Sequence, residues 1–177
     1  MAWTTPLTAV ANTALTAAQW NLSVRDNLLQ TAAAKATTAG RMFVVAAANS
    51  IVEREFSGAI VETSQTTTAT TYSALTTPGP SVTLTTGAGA FIAINADCQN
   101  NTANTASHAS FELSGATVSA AIDQRSIRVE TVANGAVAAC RTTLNALTPG
   151  SNTVNMMYRV SAGTGTFQRR RLQVLGL

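Results

Sequence analysis

His108 is the one histidine of the 177-residue chain, so any imidazole chemistry has to pass through it. A Ser–His–Asp site needs a base held by an orienting carboxylate beside a nucleophile. Ser107, Ser110, Asp97 and Asp123 supply the residue types, but no Gly-x-Ser-x-Gly turn is present to present a nucleophile. His108 closes the run Asn101-Thr-Ala-Asn-Thr-Ala-Ser-His108, a loop composition, and a solvated loop histidine is the expectation. The eight carboxylates are sparse, and Glu53 and Glu55 are the closest pair, on one face of a short strand. Glycoside hydrolysis needs two carboxylates across a cleft. Pairing with Arg41 or Arg54 is the plainer role for these two. No calcium loop, phosphate loop or zinc spacing occurs. The expectation is therefore a protein that is not an enzyme, with no catalytic residue, metal or cofactor.

Three further groups have chemical potential. Arg169, Arg170 and Arg171 form the densest charge and could meet an acidic partner or a glycan phosphate. Their plainer reading is a strand whose arginines pair with Glu112, Glu130 or Asp123 across a sheet. The amides of 99–105 could contact a sugar, as any long polar turn could. Cys98 and Cys140 are too few for a disulfide scaffold. Free buried thiols suit a chain made in the cytosol. A disulfide stays open, since both cysteines fall in predicted strands that could be neighbours.

Composition narrows the class. Only 11% of residues are charged, against about 25% in an average soluble protein. Net charge is +3, carried by ten arginines and the single Lys35. Aromatics make up 5% and do not interleave with the arginines, apart from Phe167 before the triplet, which argues against nucleic acid. A weakly charged surface rich in Thr, Ser and Asn suits a protein that works in an assembly. No apolar run has the length of a membrane span. The first residues lack a signal-peptide pattern, so use without Sec export is expected.

These residues must be carried by elements, and the chain divides into three. Residues 1–40 read as an extended arm, a helix and a linker. Thr16-Ala-Ala-Gln19 is a capping box, and the helix it opens runs to about Gln30. Trp20, Val24 and Leu28 lie at i, i+4 and i+8, with Leu15 one turn back. Leu22 and Leu29 widen this stripe beyond what a solvated helix carries. About four turns would be marginal in water alone. The helix must pack on its own β-domain, on copies of itself or on another protein. Trp3 is expected to fold back or enter a partner. Residues 41–57 read as a strand pair, Met42–Val45 and Ile51–Phe56, forming a collar.

Residues 58–177 show strand signals at short, even intervals between Gly, Pro and Asn clusters. They fall at Ala59–Thr63, Ser81–Thr86, Ala90–Asp97, Ala109–Leu113, Thr117–Ile122, Ile127–Val132, Val137–Leu144, Thr153–Val160 and Phe167–Leu175. Ser64–Thr71 is an edge strand or a loop. Val154, Met156, Tyr158 and Val160 share one face, and no helical period appears. The predicted fold class is mainly β: an antiparallel sandwich of jelly-roll type behind an N-terminal arm and short helix. One internal echo exists. Leu75-Thr-Thr-Pro-Gly79, Val82 and Gly87-Ala-Gly-Ala-Phe91 resemble Leu147-Thr-Pro-Gly150, Val154 and Gly163-Thr-Gly-Thr-Phe167.

The N-terminal residues carry a family likeness. Trp3-Thr-Thr-Pro6, the helix Leu15-Thr-Ala-Ala…Asn21…Arg25-Asp-Asn-Leu28 and the linker Ala34-Lys-Ala-Thr-Thr-Ala-Gly40 resemble the N-termini of structural proteins of tailed phages of actinobacteria. Leu147-Thr-Pro-Gly-Ser-Asn-Thr153 through Gly163-Thr-Gly-Thr-Phe167 looks like the end of the β-domain in the same proteins. The resemblance implies a virion location, a minor tail protein or fibre-like appendage, and a homotrimer. Trp3, Leu15, Trp20, Val24 and Leu28 would anchor it to other virion proteins or to sister copies. A capsid decoration protein is the first alternative. A carbohydrate-binding module for host glycans is the second, and it requires an aromatic platform drawn from Tyr72, Phe91, Phe111, Tyr158 and Phe167.

Overall fold

The structure is a computed structural model that describes residues 4–8 and 10–177. The chain divides into two compact units, one ending at Glu55 and the other running from Phe56 to Leu177.

The first unit is built from short local pieces. Thr16 caps α1 (Ala17–Trp20) through the reciprocal bonds expected of a capping box: its Oγ1 accepts from Gln19 N at 3.2 Å and its own N donates to Gln19 Oε1 at 2.9 Å. The helix widens into a π turn over Asn21–Arg25 and returns to α geometry in α2 (Asp26–Leu28). Thr31 caps a further turn, α3 (Ala32–Lys35). The expected linker is therefore partly helical, and its end is fastened. Lys35 Nζ donates to Ile51 O at 2.9 Å, and the Glu53 carboxylate accepts from Thr37 N, Thr37 Oγ1 and Thr38 N. Their target is a hairpin of β1 (Met42–Ala47) and β2 (Ser50–Arg54), turned at Ala48-Asn49 with Asn49 at φ 54°. Asn tolerates this left-handed geometry better than other side-chain-bearing residues.

The second unit contains β3 (Phe56–Val61), β4 (Gln65–Thr67), β5 (Ser81–Thr86), β6 (Gly89–Asn100), β7 (Ala106–Gly115), β8 (Ile127–Glu130), β9 (Ala136–Ala146), β10 (Gly150–Val160) and β11 (Gly165–Gly176). It begins two residues ahead of Gly58, because Phe56 and Ser57 already pair with Leu175 and Val174. The pairings nest: β7 with β8, β6 with β9, β5 with β10, β3 with β11, all antiparallel. Successive nested pairs fall alternately in a sheet ordered β5-β10-β7-β8 and one ordered β3-β11-β6-β9, with β4 also on β11. One long hairpin wrapped over two sheets is a jelly roll, the double Greek key expected of the sequence. The internal echo finds its place here. Both copies cross from the first sheet to the second, and Val82 sits opposite Val154.

Alternation fills the space between the sheets. Ala90, Ile92, Ile94, Ala96 and Cys98 of β6 point inward, and so do Val154, Met156, Tyr158 and Val160 of β10. Phe111, Leu113, Phe167, Leu172 and Val174 complete the centre, where the Tyr158 and Phe167 rings lie 4.9 Å apart. Each Val, Leu, Ile, Met or Phe among them contributes about 1.5–3 kcal/mol when fully buried.

Two strand expectations change. Thr117–Ile122 is not a strand. Ser119 alone pairs, with Leu113, while the free edge of β7 over Ala106–Ala109 is occupied by β8. Its later carbonyls are taken by side chains: Ser110 Oγ donates to Ile122 O at 2.8 Å, and Arg125 bonds Ala120 O. In β11 the register slips between Gln168 and Arg171, with Arg169 at φ 48°. The extra residue reverses the inside–outside parity. Phe167 faces the core before it; Arg170, Leu172 and Val174 do so after it.

Candidate functional site: surfaces for assembly

The arm is held to the helix by two polar residues, Ser23 and Asn27. The Asn27 carboxamide pairs with both backbone groups of Thr4: Thr4 N donates to Oδ1 at 2.9 Å, and Nδ2 donates to Thr4 O at 3.0 Å. Thr4 Oγ1 also donates to Oδ1 at 3.0 Å, and Leu7 N donates to Ser23 Oγ at 3.1 Å. A side-chain amide thus does for the arm what a neighbouring strand would do. It joins the Trp3-x-x-Pro6 opening to the Arg25-Asp-Asn27-Leu28 helix, the two halves of the N-terminal motif. Trp3 itself lies outside the described residues.

Asn27 is also the one buried residue among the described residues of this unit. Every large apolar side chain there is at least partly open. Leu15, Trp20, Leu22, Leu28 and Leu29 are half or more exposed, Val24 is intermediate, and Met42, Phe43 and Val45 of the hairpin are exposed. The stripe read from the sequence is present and uncovered. A unit of this size without a buried apolar core has little to offset its chain entropy, and an isolated two-stranded hairpin is marginal.

The jelly roll carries a second apolar feature that periodicity could not reveal. On the outer face of the β3-β11-β6-β9 sheet, Phe56 lies opposite Leu175, Leu175 opposite Phe91, and Phe91 opposite Leu144. These four residues form one row across four strands. Phe56, Phe91 and Leu144 are exposed by 53%, 47% and 67%. The next row is Gly58, Gln173, Ala93 and Thr142, small or uncharged throughout.

The arginine triplet does not form one surface. Arg170 is fully buried. It donates to Thr77 O, Gly79 O and Thr63 O at 3.2, 3.1 and 3.3 Å, with its guanidinium 5.4 Å from the Tyr158 ring centre. Arg169 pairs with Asp97, and Arg171 reaches Glu62 at 3.5 Å. The expected partners Glu112, Glu130 and Asp123 lie elsewhere: β11 belongs to the sheet opposite β7 and β8, and the bulge turns the flanking arginines to its outer face. As an anionic contact the triplet reduces to Arg169 and Arg171. The cysteines are both free: Cys98 is buried and Cys140 exposed. Cys140 stands opposite Asn95 and Cys98 opposite Val137, so the two point to opposite faces of the sheet. Burial pushes the Cys98 thiol up to about 12.

His108 is not a loop histidine. It sits on β7 between Arg159 of β10 and Arg128 of β8, and only 4% of it is exposed. Its Nδ1 is 3.4 Å from Ser126 Oγ and 3.9 Å from Asp123 Oδ1. A triad puts nucleophile and carboxylate on opposite ring nitrogens; here one nitrogen faces both. The Ser126 hydroxyl donates to Asp123 O at 2.9 Å, and Asp123 is bound by Arg159 and by Tyr72 OH at 2.7 Å. Burial and then Arg159 hold the His108 pKa below the ordinary imidazole value. The aromatic residues required for a sugar platform are dispersed. Phe111, Tyr158 and Phe167 are core, Phe91 belongs to the apolar row, and Tyr72 lies under Arg159 at 5.3 Å.

No family model matches the chain, and no curated protein matches it. Among solved structures, it is similar to the Eiger TNF from S. frugiperda, with TM-score 0.47 and 8% identity over 70% of this chain and 92% of that one. It is also similar to a chain in the structure of infectious bursal disease virus Gx strain, with TM-score 0.41 and 9% identity over 71% of this chain and 38% of that one. The jelly-roll assignment rests on the strand order and register given above.

Proposed function

We propose that this chain is a structural protein of a tailed-phage virion, held in the particle by its N-terminal unit and displaying the jelly roll. The observation that carries the reading is the first unit. It exposes a helix stripe and a hairpin, and buries no apolar side chain among its described residues. Such a unit acquires its stability from a partner, at about 25 cal/mol for each Å² of apolar surface covered. The motif likeness to phage N-termini falls on this same unit, and Asn27 gives its two halves a common task. Copies of the chain are the first partner, and a homotrimer is what the likeness implies. The row Phe56-Leu175-Phe91-Leu144 supplies an apolar strip for contact between jelly rolls. A minor tail or fibre-like location is the primary reading. A capsid decoration protein would use the same surfaces and differ in where the arm docks.

The test is particle assembly. Trp20→Ala and Leu28→Ala, made together, are expected to reduce incorporation into particles at least tenfold and to leave the jelly roll's thermal melt unchanged. Electron microscopy of wild-type and deletion particles then distinguishes tail from head. Normal incorporation of the double variant, or absence of the protein from purified particles, would overturn the reading.

A further inference from the structure

The outer face of the β5-β10-β7-β8 sheet holds a cleft of about 570 Å³, lined by His108, Asp123, Ser126, Arg128, Arg141 and Arg159 together with two small residues. Four strands and a turn build it. Arg159, His108 and Arg128 stand abreast on β10, β7 and β8. Arg141 enters from β9, the edge strand of the other sheet. The 3₁₀ turn Asp123–Arg125 closes one side.

The charges in this cleft do not balance. Three guanidiniums face one carboxylate, and that carboxylate is already engaged. Arg159 holds Asp123 in a two-pronged pair at 3.1 and 2.6 Å, and Tyr72 takes a third bond. Arg128 is paired with exposed Glu130. Arg141 has a neutral partner only: its Nη2 donates to Gln124 O at 2.6 Å, and no acid pairs with it among the described residues. Each guanidinium is thus fixed by one or two bonds and keeps donors unused, since each carries five. Planar, fixed forks of this kind match the oxygens of a carboxylate or a phosphate. His108 uses Nδ1 toward Ser126, which leaves Nε2 as its second hydrogen-bonding atom. The volume falls in the range of small-molecule sites, about 300–1,000 Å³.

We propose that this cleft is an oxyanion site for a sugar-sized polar ligand bearing a carboxylate or a phosphate, with Arg141 and Arg128 binding the anion and Arg159 fixed by Asp123 as the floor. The site is separate from the assembly surfaces and does not depend on the attachment role.

Calorimetric titration of the full chain at low ionic strength tests it, with glucuronate, glucose 1-phosphate and glucose as probes. Saturable binding of one or both acids, with glucose at least tenfold weaker, supports the site; which acid binds identifies the oxyanion. Arg141→Gln and Arg128→Gln should each weaken binding about tenfold. Arg171→Gln, on the other sheet, should leave it unchanged. Arg128 and Arg141 are both exposed, and a melting curve for each variant checks that it is folded. Failure of both acids to bind, equal binding of glucose, or an equal loss in Arg171→Gln would overturn the proposal.

Discussion

Consecutive arginines in β11 have opposite fates, and this fixes what each can contribute. Arg170 is enclosed with three carbonyl partners and no carboxylate, and its Nε has no partner. Those carbonyls belong to Thr63, ahead of β4, and to Thr77 and Gly79, after it, so the side chain ties the segments on both sides of β4 to the core. Arg170→Ala would leave a cavity and strand the three acceptors. It should cost about 3 kcal/mol or more, read from urea unfolding. Arg171→Ala removes one exposed pair and should stay within about 0.5 kcal/mol. His108 sets a pH dependence. Its folded pKa is lowered, while the unfolded chain titrates near 6.5, about the ordinary value. The unfolded state therefore binds the proton first. Stability from the neutral ring is complete above about pH 6.5 and is lost as pH falls through the folded pKa. Between pH 7 and pH 5 the wild type should lose more stability than His108→Gln. Equal slopes would show that the ring titrates freely in the fold. Asp123, held low by Arg159 and Tyr72, contributes in a separate and more acid window.

At the scale of elements, the arm and helix act as one piece because Asn27 satisfies both backbone groups of Thr4. Asn27→Ala removes both bonds and is helix-favouring by propensity. The helix should persist while the arm comes free. Amide exchange at Thr4 and Leu7 should accelerate at least tenfold, with the jelly-roll amides unchanged. An unaltered rate at both positions would mean that the arm is held by something other than this clamp. The β11 bulge is the corresponding device in the second unit. It lets one strand place Phe167 and Leu172 on the same side of the sheet despite their odd spacing.

Across the whole molecule, stability is concentrated in the jelly roll, where every large buried apolar side chain among the described residues lies. A fragment of residues 56–177 is expected to fold and melt cooperatively. A peptide of residues 1–55 should show little fixed structure at low concentration and gain helix on self-association. Circular dichroism across a concentration series checks both. A fragment 56–177 with no cooperative melt would show that the first unit completes the core.

What the sequence determined by itself was local. Thr16-x-x-Gln19 specified its helix start because a cap involves residues three apart. Alternation in β5, β6 and β10 marked strands and their inward faces because the pleat has a period of two. Their even spacing identified a sandwich, and the Gly-rich turns of the internal echo lie where the chain changes sheet. The exposed helix stripe was legible for the same reason of period. Tertiary structure decided what depends on which strands become neighbours. Phe56, Leu175, Phe91 and Leu144 form a row only once four strands, distant in the chain, have found their register. His108 meets Arg159, Arg128 and Asp123 through pairings up to 51 residues away. Asn27 reads as an ordinary polar helix residue until Thr4 is laid against it, 23 positions earlier. A one-residue bulge, invisible to a count of alternation, put the middle of three arginines in the core and its neighbours in solvent.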